Sequence, residues 1–231
     1  MNVLTPSRRR GIEILDNPAV DPALMKRSMR DVELANALFG GRRAAIAELE
    51  PALMELKGRA TMLDVGTGRG DIPEAAVEIA RAHGVELRTV GLDISLPLVN
   101  ENRNRTDYVL RGDAHALPFR SRSIDIVLAS QFLHHFTESS AAALIREMNR
   151  VARHRVVISD LRRSFVAAAG LWLGSFPLGF HPVSRHDGVV SVMRGFLPFE
   201  LADLVERTTG LRPAVARRLG FRLTTSWKPQ E

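Results

Sequence analysis

The sequence predicts an α/β protein with a seven-stranded, largely parallel sheet and helices on both faces. Three observations point there. From residue 60 onward, short apolar runs alternate with stretches of helical periodicity, as expected of a parallel sheet built by helical crossovers. The first run, over 61–65, breaks into glycines at 66, 68 and 70, a spacing that lets the backbone turn sharply and approach a ligand closely. Ahead of it, two amphipathic stretches predict a helical N-terminal cap.

In order along the chain, residues 1–20 are expected to form a loose arm that tightens from Ile12 to Leu15. Asp21-Pro22 is a good helix start, and the helix from Ala23 to Phe39 stops at Gly40-Gly41. A second helix is expected from Arg42 to Lys57, closed by Gly58. Strands are expected at 61–65, 87–92, 107–110, 124–129 and 155–159, with helices at about 72–83, 95–103 and 138–151. Pro198-Phe199-Glu200 opens another helix that Gly210 closes. Two closing strands, near 213–218 and 220–227, are short enough in separation to pair as an antiparallel hairpin. The stretch from Phe165 to Val183 is apolar, yet broken by Gly170, Gly174, Pro177 and Gly179. It suits an irregular lid or pocket wall above the carboxyl ends of the strands better than a continuous helix or a membrane span. The expected organisation is an arm and helical cap over 1–59 and a sheet domain over 60–231, with the lid inserted at about 162–195.

With 231 residues and 45% hydrophobic side chains, the chain suits one soluble domain with a sizeable core and no stable membrane insertion. There is no cysteine, which excludes disulfides and thiolate metal sites and fits a cytoplasmic location. Ser7-Arg8-Arg9-Arg10 is faintly like an export signal, but Glu13 and Asp16 interrupt any apolar segment behind it. The net charge of +6 invites a nucleic-acid partner. Its distribution argues against one: arginines are scattered, lysine stands only at 26, 57 and 228, and no basic patch is interleaved with aromatics.

The glycine turn says what docks there. A dinucleotide fingerprint would need glycine at 71, where Asp71 stands. Asp71 is expected to cap the following helix, with Glu74 completing a capping box. Two carboxylates then sit where a pyrophosphate would use the free N–H groups and the helix dipole. A ligand with a ribose and a positive charge but no phosphate fits better, and S-adenosylmethionine (SAM) is such a ligand. Asp93, closing the second strand, can accept hydrogen bonds from ribose hydroxyls. Asp113, after the third, can accept from an adenine amino group.

The motifs LDVGTGRGDIP (63–73), VGLDIS (90–95), RGDAHALPF (111–119) and SIDIVLASQFLHHF (123–136) resemble, in order and spacing, those of class I SAM-dependent methyltransferases. The likeness covers residues 60–160 and implies the Rossmann-like fold of that class. More narrowly, the chain is similar to the UbiE-like, type 11 branch. EMNRVARHRVVISDLRRS (147–164) and DGVVSVMRGF (187–196) look like a subgroup associated with polyketide or phenolic products. The resemblance implies that Gly66, Gly68 and Gly70 line the methionine part of SAM and that Asp64 holds its amino group. It places Asp93 on the ribose, Ile94 against the adenine, Asp113 on the adenine amino group and the Ala114 N–H on a ring nitrogen. The sulfonium is expected near Ser130, Gln131 and Phe132. These residues depart from the Asn/Asp-Pro-Pro-aromatic motif of base amino-methylases, which counts against that activity.

Methyl transfer from a sulfonium is an in-line displacement, favoured by excluding water and by holding the reacting atoms about 3–3.5 Å apart. A hydroxyl acceptor must also lose a proton. The candidate bases are His134 and His135, after strand four, and Asp160, at the end of strand five. Either histidine can serve, with His134 slightly favoured, and Asp160 can accept from the acceptor or orient a histidine. His181, His186 and Arg194 can touch acceptor, although loop roles suit them better; His115 faces cofactor or solvent. The adjacent histidines lack helical metal-ligand spacing, so no metal is expected. The reading is methylation of a small, fairly apolar acceptor, a phenolic hydroxyl, with S-adenosylhomocysteine (SAH) as product. The alternatives are C-methylation of a quinone or lipid precursor, an RNA methyltransferase, and a non-catalytic SAM-binding regulator.

Overall fold

The computed structural model describes residues 6–9, 11–17 and 19–230. Residues 1–5 of the expected arm, with Arg10 and Pro18, lie outside the described residues. Helices α1 (Pro22–Leu38) and α2 (Gly41–Met54) precede β1 (Gly58–Val65), α3 (Asp71–Ala82), β2 (Val85–Asp93), α4 (Leu96–Asn102) and β3 (Tyr108–Arg111). Then come β4 (Ile124–Ser130), α5 (Glu138–Val151), β5 (Ala152–Leu161), α6 (Phe165–Gly174), α7 (Pro182–Arg194), α8 (Pro198–Thr209), β6 (Ala216–Arg218) and β7 (Arg222–Trp227).

The seven strands form one sheet in the order β3-β2-β1-β4-β5-β7-β6. Strands β1 to β5 run parallel, while β7 lies antiparallel against β5 and β6 against β7. The order reverses beside β1, so the crevice at the carboxyl ends of β1 and β4 is the place for a ligand. Strand β4 is buried along nearly its whole length, as a central strand covered on both faces must be. One face is closed by α5 and α8 through Leu144, Ile145, Met148, Leu201 and Val205. The other is closed by α2 and α3 through Leu49, Leu53, Ile72 and Ala76. Helix α2 thus belongs to the core of the sheet, whereas α1 stands over the crevice. Asp21 starts α1 by accepting from the N–H groups of Ala23 and Leu24.

Two expectations are corrected. The stretch after β5 is two helices, α6 and α7, and not an irregular loop. The real break is at 175–181, where Pro177 and left-handed Gly179 fall. Gly174 leaves room for the Phe39 ring of α1, 3.1 Å from where a Cβ would lie. Ala168 and Leu171 pack with Leu161, Val192 and Met193, so burial against α7 outweighs the low helix propensity of glycine. The second correction concerns Asp71. The N-cap of α3 is Gly70 at φ 76°. The helix starts one residue earlier than expected, and Asp71 is its first residue and not its cap.

Candidate functional site

Across the carboxyl ends of β1, β2 and β4 runs a groove of about 650 Å³. Gly66 and Gly68, Asp93 and Ile94, Asp113 and Ala114, and Gln131 all line it. Asp64, Gly66, Gly68, Ser130 and Gln131 meet in a small recess at its inner end. Gly70 shapes the turn as the cap of α3 but lines neither space. The turn needs glycine for two reasons. Gly66 has φ 73°, and a Cβ on it would lie 2.3 Å from the Phe132 ring. At Gly70 a Cβ would lie 2.2 Å from Asn102 Oδ1. Buried Asn102 also donates to Thr67 Oγ1 at 3.1 Å, so α4 braces the turn from behind. Helix α1 closes it from above: Glu33 accepts from Arg69 and Arg105, both at 2.6 Å, and Arg69 also pairs with Glu101.

The recess is acidic. Asp64 is buried, and its Oδ1 has no hydrogen-bond partner. Burial pushes its carboxyl up to about 8, against a pull downward from Thr67, and the nearby charges of Asp71 and Asp93 add to the rise. Burial also raises Asp71, helped by Glu33, and raises Asp93 despite hydrogen bonds from the backbone of Ser95 and Gly68. Asp93 Oδ2 accepts from Gly68 N at 3.0 Å, which ties the second strand to the glycine turn. An orphaned buried carboxylate among other acids is a place for a ligand cation and a poor one for phosphate. The acidic recess therefore fits a cationic ligand without phosphate, such as SAM. Ile94 is 68% exposed on the groove wall, an apolar face open to a flat ring. Asp113 is exposed, held below the usual carboxylate range by hydrogen bonds from the His115 backbone and ring. Ser130 Oγ is buried without a partner, and Gln131 sits at φ 50°, a strained conformation where β4 meets the groove.

The groove is also lined by a histidine pair in two different settings. His134 is buried. Its Nδ1 pairs with Asp160 Oδ1 at 2.7 Å, its backbone N–H donates to Asp160 Oδ2 at 3.1 Å, and its Nε2 has no hydrogen-bond partner. Asp160 is fully buried; burial would raise its pKa, but the charge and hydrogen bond of His134 outweigh that and keep it ionised. An ionised carboxylate only accepts, so Nδ1 carries a proton toward Asp160 and Nε2 is the ring atom left without a partner. His135 instead faces the N-terminal segment, with Nδ1 at 3.1 Å from Asp16 and 3.7 Å from Glu13. Burial would lower its pKa, yet the hydrogen bond to Asp16 and the charges of Glu13, Asp16 and Asp160 raise it overall.

Two buried acids at the site, Glu13 and Asp187, carry no local sequence signal. Glu13 is buried, with Oε1 at 4.0 Å from His134 Nε2. Arg194 Nη1 binds Glu13 Oε1 and Asp16 Oδ2, each at 2.9 Å, and Asp187 accepts from the N–H groups of Ile14 and Leu15. Ligand atoms of Glu13, His134 and His135 lie within 4.8 Å of one another, a grouping that residue spacing did not anticipate. The guanidinium of Arg194 already matches the acidic charge a metal would need there. His181 caps α7 by accepting from Val183 N, His186 pairs with Asp187, and His115 binds Asp113 and Ser140.

A second cavity of about 360 Å³ adjoins the groove and shares Gln131, Leu161, Ser184, Gly188 and Ser191 with it. Its walls are α1, α6, α7 and the start of β7, chiefly apolar: Val32, Phe39, Val166, Leu171, Phe180 and Phe221. Asp31 of α1 holds the lid side in place, accepting from His181 N and Ser184 Oγ at 2.8 Å each.

Residues 63–158 match the family model of the methyltransferase domain. A demethylmenaquinone methyltransferase from Roseiflexus sp. (strain RS-1) is 35% identical over 123 residues, 50% of this chain and 48% of its own length. A probable tRNA methyltransferase 9B from Bos taurus is 31% identical over 100 residues, 43% of this chain and 20% of its own. The chain thus spans about half the length, or less, of the curated relatives it matches. Among solved structures, the mitomycin 7-O-methyltransferase MmcR superposes with a TM-score of 0.64 at 18% identity, covering 94% of this chain and 61% of that one. A SAM-dependent methyltransferase from Aquifex aeolicus gives 0.60 at 16% identity, covering 91% and 99%. The fold is that of the class I methyltransferases it superposes on, and residues 63–158 are similar to the methyltransferase domain.

Proposed function

We propose that the protein transfers the methyl group of SAM to the phenolic hydroxyl of a small, mainly apolar acceptor. The observation that carries this reading is the apolar chamber that shares a wall with the groove, which His134 lines with its Nε2 left without a hydrogen-bond partner. Bound SAM supplies an electrophilic methyl on a sulfonium. Asp64 and the glycine turn hold its amino-acid end, Asp93 its ribose, and Ile94, Asp113 and the Ala114 N–H its adenine. His134 Nε2 takes the proton of the hydroxyl, and Asp160, fixed on Nδ1, orients the ring and stabilises the imidazolium. Glu13 across Nε2 adds to that stabilisation. His135, its pKa raised by Asp16, is engaged in an ion pair and is the poorer base. Residues 162–195, through α6 and α7, form the lid that keeps water from the reacting atoms. Among the described residues no helix is long and apolar enough to cross a membrane.

A second reading, C-methylation of a quinone precursor, is favoured by the likeness to demethylmenaquinone methyltransferase. Incubation with SAM and a panel of naphthols and quinols separates the two. An O-methyl ether supports the first reading, and a C-methyl ring replaces it with the second. Methylation of tRNA alone, with steep salt dependence, overturns both.

A further inference from the structure

The acceptor chamber is lined by a buried guanidinium that an apolar cavity does not need. Arg222, at the start of β7, lines it and is only 7% exposed. In the β5–β7 ladder Arg222 is opposite Leu161, and Asp160 is opposite Leu223, so it sits one strand from the histidine pair's carboxylate. Its Nη1 donates to Gly220 O at 3.0 Å, and its Nε has no hydrogen-bond partner.

The charge of this guanidinium is not matched locally. Asp160 spends both oxygens on His134 and the Leu161 N–H. Asp31, the carboxylate on the facing wall, is occupied by His181 N and Ser184 Oγ, with Arg27 nearby. Among the described residues no carboxylate reaches ion-pair distance of Arg222. Burial pushes its pKa down to about 10, with the charge of Asp160 opposing the fall. A buried, under-partnered guanidinium is costly unless something else pairs with it, and the planar fork matches a carboxylate well.

We propose that Arg222 is the anion-binding group of the acceptor chamber, and that the acceptor is an aromatic molecule bearing a carboxylate. The apolar walls take its ring system, Arg222 its acid group, and the hydroxyl lies toward Gln131 and His134. This rests on the methyltransferase reading for the hydroxyl's place but concerns a separate contact.

The test is calorimetric titration of the full chain with 3-hydroxy-2-naphthoate and with its methyl ester, each with and without SAH. The acid is expected to bind about tenfold more tightly than the ester, the order expected of a charge-assisted hydrogen bond. In Arg222→Met the ratio falls to about one while SAH affinity is unchanged, and Arg222→Lys keeps part of the preference. A wild-type acid that binds no better than its ester, including failure of both to bind, overturns the proposal. So does a preference that persists in folded Arg222→Met. Should that variant not fold, the wild-type ratio and Arg222→Lys decide. SAH binding without an acid preference removes the anion site and leaves the methyltransferase reading; an acid preference without SAH binding does the reverse.

Discussion

The two halves of the crevice are built on opposite principles. The proposed cofactor half, at the ends of β1, β2 and β4, is acidic and made of neighbours in sequence: Asp64 and the glycines within one turn, Asp93-Ile94 and Asp113-Ala114 each as a pair. The proposed acceptor half is mainly apolar and assembled from α1, α6, α7 and β7, residues up to 191 positions apart between Asp31 and Arg222. Each half holds a buried ionisable group without its full set of partners, a carboxyl in the first and a guanidinium in the second. The contrast teaches where each specificity comes from. A constant cofactor can be gripped by local motifs, whereas a particular acceptor is selected by how distant segments pack.

The largest expected effect lies at the junction of the halves. His134→Ala should lower kcat by about 10²- to 10⁴-fold, while SAH affinity in a titration stays near wild type. A parallel loss of SAH affinity would mean that the junction belongs to the cofactor half alone. Next is Gly66→Val, which meets both a left-handed φ and the Phe132 ring. Calorimetry should find SAH binding abolished, with stability lower by about 1–3 kcal/mol. Unaltered binding would deny that the turn is the cofactor cradle.

Asp64→Asn should weaken SAM binding by about ten- to a hundredfold, the order of a hydrogen bond to a charged group. Its effect on the ligand-free protein has the opposite sign. Asp64 has a folded pKa of about 8 against 3.8 for the free side chain. Its stability contribution is therefore fully present below 3.8 and is lost as pH rises through about 8. Thermal unfolding of wild type and variant should diverge across that window, with the asparagine form melting higher at the alkaline end. Parallel melting curves would place the carboxylate in a less buried setting.

In the acceptor half, Asp31→Ala should release the start of α7 and raise the acceptor KM a few-fold. It should also cost about 1–2 kcal/mol, the order of a lost buried hydrogen bond. An effect on SAM binding equal to that on acceptor would blur the division between the halves. Ile94→Ala is the smallest change. At this exposed position the SAM KM should rise by about two- to fivefold, roughly the loss of one partly buried methylene or two.

What the sequence determined by itself was the periodic and the contiguous. Alternating apolar runs placed the parallel strands, because a strand buried on both faces must be apolar along its length. The glycines at 66, 68 and 70 placed the turn, since φ values of 53–76° at these positions favour residues without a Cβ. Even there one detail escaped. Whether Asp71 caps α3 or begins it turns on the φ of Gly70, which no residue identity announces. Over 165–194 the glycines and proline favour a loop by local propensity, while burial of Ala168 and Leu171 against α7 decides for helices.

The tertiary structure alone decided which histidine is free. His134 and His135 are adjacent and chemically identical in the sequence. Asp160 reaches the first from β5, and Asp16 reaches the second from a segment 119 positions away. It also brought Glu13 and Arg194 to the pair and turned Arg222 into the wall of a cavity. Contacts of this kind depend on the packing of whole elements. A charged residue has the same propensity wherever it falls, and only burial beside a particular partner gives it a role.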